Sequence, residues 1–250
     1  MTAGRGIGAG PVVVVTGASR GLGAGLAAGF AAAGMRLALL ARNEPAVPAG
    51  AAAVSLAGDV ADPDALDRLV EAAVGEFGRI DNWVNNAGLL EPVGPLADAD
   101  PAAVARLVDA NVTGALLGSR AFARHVRGRP GTGVLVNVSS GAASTPYEGW
   151  APYCASKAAV DQATAVLALE GAHYGLRAHA VSPGVVDTGM QELIRSQPAE
   201  RFPAVGRFVD LHARGAVNSP GWVAAYLVDL FEGRVGDAGT VLRVPDEPRR

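Results

Sequence analysis

The chain has 250 residues, a formal net charge of -3, half of its residues apolar but only 5% aromatic, and 33 glycines. That length accommodates one α/β unit, and glycine and alanine in place of aromatics imply helices lying closely on a parallel sheet. The mild negative charge excludes a basic field for nucleic acid or anionic lipid, the single cysteine excludes an intramolecular disulfide, and no apolar run reaches membrane-spanning length, so a cytoplasmic protein is expected.

Met1 to Gly10 is a glycine-rich leader without the apolar core of a secretory signal. Pro11 to Thr16 is a β-branched run, the pattern of a strand buried on both faces. It passes through Gly17, Ser19, Arg20, Gly21, Leu22 and Gly23 into an alanine-rich helix from Ala24 to Ala33. Glycines there let the backbone approach a pyrophosphate, whose charge a helix N-terminus favours. The leader's own alternating glycines lack this context, since no strand precedes them and no helix follows.

Met35 to Ala41 reads as the second strand, and its tip, Ala41-Arg42-Asn43, has no acidic residue to bind ribose hydroxyls. Arg42 and Arg20 together supply two guanidinium groups able to clamp a 2′-phosphate, so NADP(H) is expected. Either arginine alone reads equally well as solvated surface. A short strand, Ala52 to Leu56, closes on Gly58, Asp59 and Val60. The Asp59 carboxylate there either accepts from an adenine amino group or caps the next helix, although Asp62-Pro63 is the better cap.

Asp62 to Phe77 carries apolar residues at helical period, and Ile80 to Asn85 is a strand entering the small-residue turn Asn86-Ala87-Gly88. Adjacent asparagines at a strand end hold a tight loop through neighbouring backbone. Pro101 to Val126 is helical but interrupted by Asn111, Val112, Thr113 and Gly114, all weak helix formers. Such a break implies that Asn111 holds a water or a carbonyl near a site.

Gly133 to Ser139 is a buried strand delivering Ser140, and an alanine-rich helix follows. On it Tyr153 and Lys157 stand at i and i+4, on one face. A cation beside a phenol favours the phenolate, so Lys157 is expected to pull the tyrosine pKa down from about 10. Cys154 reads as a small buried filler, and the four histidines lack ligand spacing, so no metal site is expected.

Leu176 to Val181 is a sixth strand ending in Pro183-Gly184-Val185-Val186-Asp187-Thr188, where a nicotinamide would rest within reach of the Thr188 hydroxyl. Residues 189–215 read as an irregular substrate loop or lid. Ser219-Pro220 starts a helix to Phe231, and Gly239 to Val244 makes a last strand.

Thr16-Gly17-x-x-x-Gly21-x-Gly23, Asn85-Asn86-Ala87-Gly88, Asn111, Ser140 with Tyr153-x-x-x-Lys157, and Pro183-Gly184 fall in this order. In this the chain resembles the short-chain dehydrogenase/reductase family over almost its whole length. The resemblance implies a single doubly wound Rossmann-type domain with a seven-stranded parallel sheet and helices on both faces. It also implies NADP(H) across the carboxyl edge and a catalytic tetrad of Asn111, Ser140, Tyr153 and Lys157. Cofactor contacts are then expected from Gly17, Ser19, Arg20, Gly21, Leu22, Gly23, Arg42, Asp59, Val60, Asn86, Ala87, Gly88, Tyr153, Lys157, Pro183, Gly184, Val186 and Thr188. A homodimer or homotetramer would form through the helices bearing Asn111 and Lys157.

Tyr147-x-Gly149-Trp150-x-x-Tyr153-Cys154-Ala155-Ser156-Lys157 and the Pro183 to Gln191 stretch further resemble the sepiapterin reductase and bacterial benzil reductase branch. Where sepiapterin reductases anchor the pterin with an acid, this chain has Arg243, which points away from a pterin and toward a small ketone or 1,2-dicarbonyl. The expected activity is NADPH-dependent carbonyl reduction with Tyr153 as general acid. The alternatives are a secondary-alcohol dehydrogenase or 3-oxoacyl reductase of the same family, and a non-catalytic NADP-sensing protein.

Overall fold

A computed structural model describes residues 10–236 and 241–248. Most of the leader, and Gly239 and Thr240 of the last expected strand, lie outside the described residues. Seven parallel strands form one sheet in the order β3-β2-β1-β4-β5-β6-β7. They are β1 Val12–Thr16, β2 Arg36–Ala41, β3 Ala53–Ala57, β4 Asn82–Asn85, β5 Gly133–Val138, β6 Leu176–Ser182 and β7 Val241–Arg243. Helices α1 Gly21–Ala32, α2 Pro63–Phe77, α3 Pro101–Val108, α4 Gly114–Arg127, α5 Ala151–Gly171, α6 Gly189–Arg195, α7 Val205–Ala213 and α8 Pro220–Phe231 complete the order.

The β-branched run of β1 fills both faces of the sheet. Val13 and Val15 pack with Leu26, Phe30, Leu227 and Leu230 of α1 and α8, while Val12 and Val14 pack with Leu66, Leu69, Phe122 and Val126 of α2 and α4. All four valines have no exposed surface. Burial of each stabilises by roughly 1.5–3 kcal/mol relative to exposure. The small residues set the spacing of the outer layer: a Cβ on Gly29 of α1 would lie 2.4 Å from the Ala224 Cβ of α8.

Helix starts follow their caps. Asp62 accepts from Asp64 N, Asp100 from Ala102 and Ala103 N, and Ser219 Oγ from Trp222 N, each followed by proline at the first helical position. The interruption around Asn111 is one turn of π-helix, Asp109–Thr113, between α3 and α4.

The stretch 189–215 is not irregular, since it contains α6 and α7. Each is only two turns or so, and their apolar residues, among them Ile194 and Phe208, pack on a separate aromatic cluster rather than on the sheet. Periodicity over so short a span does not separate helix from loop.

At the amino edge of the sheet His125 Nε2 accepts from Ile80 N at 3.0 Å and from Arg129 Nε at 3.2 Å. Burial, then the Arg129 charge, lowers its pKa below the usual 6.5. The unfolded chain therefore binds more protons just below pH 6.5, and stability should fall as pH drops through that value. Denaturant midpoints between pH 7.5 and 5.5 check this: the wild type should lose more stability than His125→Gln, and equal losses would contradict it.

Candidate active site

The carboxyl ends of β1 and β4 adjoin where the strand order reverses, the place where open α/β sheets hold ligands. Gly17 leaves β1 with φ 67°, and a Cβ there would lie 2.7 Å from Ala87 Cα, so glycine is required for the turn to lie on the β4 loop. The two loops are stitched together. Thr16 Oγ1 accepts from Asn86 N at 3.1 Å and Ala87 N at 3.2 Å, and Asn86 Nδ2 donates to Thr16 O at 3.0 Å. Asn86 thus holds the glycine turn with its side chain.

The N-terminus of α1 has no side-chain cap and no acid in its first turn. Ser19, Arg20 and Gly21 are exposed there, Leu22 is half-buried in the core, and the Thr188 Cβ lies 3.6 Å from where a Gly21 Cβ would be. A glycine cradle under an uncapped helix end, facing a threonine across the cleft, fits a dinucleotide pyrophosphate. Arg20 and Arg42 stand at the ends of the adjacent strands β1 and β2, and both are exposed. Neither guanidinium has a hydrogen-bond or ion-pair partner among the described residues. Asp59 is exposed but accepts from Ala61 N at 2.9 Å, closing its own turn, and Asp62 caps the helix instead. Val60 is buried against Gly114 of α4.

The four tetrad positions come from α3–α4, β5 and α5. Asn111, 1% exposed, accepts from Leu89 N at 2.7 Å and donates to Leu89 O at 2.9 Å and Ser156 Oγ at 3.0 Å. Both amide hydrogens thus clamp the β4 loop and α5, and the carbonyl that Asn111 holds is that of Leu89. Ser156 in turn donates to Tyr153 O at 2.8 Å, so the π-helical turn fixes the helix that carries the phenol. Gly88 sits between Asn111 and Lys157, with a Cβ there placed 3.2 Å from Asn111 Oδ1 and 3.8 Å from Lys157 Nζ.

Ser140 follows β5 and accepts from Ala142 N at 3.2 Å. Lys157 Nζ donates to Val138 O at 2.8 Å and lies 5.8 Å from the centre of the Tyr153 ring. Burial brings the lysine down to about 8, with Asp161 opposing. The expected depression of the tyrosine pKa is not found. Burial pushes the Tyr153 phenol up, the Ser140 side chain opposes this, and Cys154 adds to it. Desolvation of a phenol 7% exposed outweighs a cation whose hydrogen bond goes to a backbone carbonyl. The Tyr153 phenol is therefore held above its ordinary value rather than below it. Cys154 is half-buried rather than buried.

Across the cleft, Asn218 shapes the loop after β6. It is 3% exposed, donates to Pro183 O at 2.9 Å, bridges Val186, and accepts at Oδ1 from Glu247 N at 2.8 Å. Gly184, with φ 76°, lies against it. Sequence reasoning missed Asn218, Ser156 and Asp161, which accepts from Ser139 Oγ. A lone asparagine, serine or aspartate carries no spacing signal, and only the tight Pro183-Gly184 turn hinted that something must hold it.

Facing Tyr153 is an aromatic wall. Trp150 stacks on Phe202 at 4.4 Å and meets Tyr153 edge-on at 5.5 Å, with Tyr147 and Phe208 beside it. Arg207 Nη1 donates to the Tyr147 hydroxyl at 2.9 Å, fastening α7 to this wall. A cavity of about 290 Å³ borders it, lined by Leu89, Glu91, Val93, Gln197 and Arg201 among others, and does not reach Ser140 or Tyr153. Arg243, next to Ser182 in register, is exposed and pairs with Asp246 at 3.5 Å.

Comparison with known proteins agrees with this geometry. The family model of the short chain dehydrogenases matches residues 11–199. The chain is 36% identical over 227 residues to 3beta-hydroxysteroid dehydrogenase 1 of Eggerthella lenta, covering 87% of this chain and 86% of that one. It is 35% identical over 161 residues to benzil reductase ((S)-benzoin forming) of Bacillus subtilis, covering 62% and 66%. Among solved structures, the KRED1-Pglu enzyme superposes with a TM-score of 0.81 at 34% identity, covering 93% of this chain and 99% of that one. The 3-ketoacyl-(acyl-carrier-protein) reductase of Brucella melitensis complexed with NADH gives 0.78 at 29% identity, covering 94% and 96%.

Proposed function

Because the chain belongs to the short-chain dehydrogenase family, whose members are oxidoreductases of CH–OH and C=O groups using NAD(P)(H), we propose that it is an NADPH-dependent reductase of a small ketone or 1,2-diketone. The single observation that carries this reading is the buried Tyr153 beside Ser140, one helical turn from Lys157, on the same sheet edge as the glycine turn.

The glycine turn and the α1 N-terminus hold the pyrophosphate, Arg20 and Arg42 the 2′-phosphate, and the Pro183–Thr188 loop the nicotinamide end. When bound there, NADPH would supply the hydride that the substrate carbon receives. Ser140 orients the carbonyl oxygen and polarises it, and Tyr153 gives its proton to that oxygen as negative charge develops there. Lys157 holds the nicotinamide ribose and favours the phenolate left behind. Asn111 fixes the β4 loop against α5, so that these groups share one geometry.

The benzil reductase likeness supports reduction. The likeness to a 3β-hydroxysteroid dehydrogenase over most of both chains favours a second reading, oxidation of a secondary alcohol with NAD. Initial rates separate them. Our reading expects NADPH oxidation with 1,2-diketones to exceed NAD reduction with cyclic secondary alcohols and hydroxysteroids, and the opposite order selects the second. We also infer a cytoplasmic location, supported by the single cysteine, and a homodimer or homotetramer, supported by exposed Leu116, Val166 and Leu169 on α4 and α5.

A further inference from the structure

The aromatic wall beside Tyr153 holds a polar group without a partner among the described residues. Trp150, at the start of α5, is 3% exposed, and its Nε1–H is buried without a partner. The other two tryptophans are satisfied: Trp83 Nε1 donates to Asn85 Oδ1 at 2.7 Å and Trp222 Nε1 to Pro245 O at 2.9 Å. Buried indole N–H groups normally find an acceptor, because desolvation without one is uncompensated. Gln191 Oε1 and Arg195 Nη1 are likewise buried without partners, and both sit on α6, whose Ile194 packs in the same cluster.

We propose that the Trp150 indole N–H donates to a second oxygen of the substrate, so that the site selects carbonyl compounds carrying another acceptor oxygen beside the reacting carbonyl, vicinal dicarbonyls foremost. This rests on the reading of Tyr153 as proton donor. Tyr153 and Ser140 take the first oxygen, Trp150 takes the second, and Tyr147, Phe202 and Phe208 pack against apolar substituents. The two side chains are neighbours: Trp150 is three residues before Tyr153, and their ring centres lie 5.5 Å apart. A simple ketone leaves the indole N–H unpaired in the complex, and that loss is what discriminates against it.

The test uses the full chain with indole-¹⁵N tryptophan and saturating NADP⁺. Its three indole N–H signals are assigned by the loss of one in Trp150→Phe, which keeps the aromatic stack. Adding 1-phenylpropane-1,2-dione should move the Trp150 signal downfield and leave those of Trp83 and Trp222 in place, whereas propiophenone should move none. In turnover, Trp150→Phe should lose about tenfold in kcat/KM for the dione and less than about threefold for propiophenone. Retained Trp83 and Trp222 signals show that the variant is folded. A dione that is reduced without moving the Trp150 signal, or a variant that loses both substrates equally, overturns the Trp150 assignment and leaves the reductase reading intact. A moved signal with no reduction of any carbonyl keeps the assignment and overturns the reductase reading; no movement and no reduction overturns both.

Discussion

Replacing Tyr153 by phenylalanine is expected to lower turnover of a carbonyl substrate by about 10²–10⁴-fold, the range that positioned general acids contribute. NADPH affinity should stay within about threefold of wild type, since none of the groups assigned to the phosphates changes. The substitution removes only the phenol oxygen. The ring keeps its edge-on contact with Trp150 at 5.5 Å and its place in the cluster with Phe202 and Phe208, so the fold should hold. Steady-state rates with a diketone, beside a fluorescence titration with NADPH, give both quantities. Unchanged turnover would remove Tyr153 from the chemistry, and lost cofactor binding would make its role structural.

Removing both Arg20 and Arg42 as alanines is expected to weaken NADPH binding by about 100-fold or more and to leave NADH binding nearly unchanged. Each charge-assisted bond to a phosphate is worth about 1.5–3 kcal/mol, roughly tenfold to a hundredfold. Both side chains are exposed and without partners among the described residues, so stability should change little. A related reductase structure contains NADH, which makes the comparison informative. Equal losses for the two cofactors, or a wild-type preference for NADH, would contradict the 2′-phosphate clamp.

The sheet was legible because its strands are continuous apolar runs bounded by glycine and proline, a pattern that burial on both faces demands of β1, β2 and β5. Helices with an aspartate or serine followed by proline, such as Asp62-Pro63 and Ser219-Pro220, were legible at their starts for the same local reason. The weak helix formers around Asn111 pointed correctly to a break and to a held carbonyl, that of Leu89. Long-range consequences were not legible. Helical spacing places Lys157 one turn from Tyr153, but says nothing about how deeply either is buried, and burial decides the direction of the tyrosine pKa. Nor could local spacing show that Asn218, from a distant loop, closes the turn at Pro183 and Gly184. Helices α6 and α7 escaped because their apolar residues answer to Trp150 and to each other rather than to the sheet.

Transfer of deuterium from 4-deuterated NADPH to a vicinal diketone, followed by mass spectrometry of the product, is the most direct test of the central claim that this site reduces carbonyl groups with NADPH. The account predicts a hydroxyketone carrying one deuterium on its new carbinol carbon, formed by the wild type and reduced by at least about a hundredfold in Tyr153→Phe. Cofactor bound without any labelled alcohol from diketones, ketones or ketosteroids would contradict it.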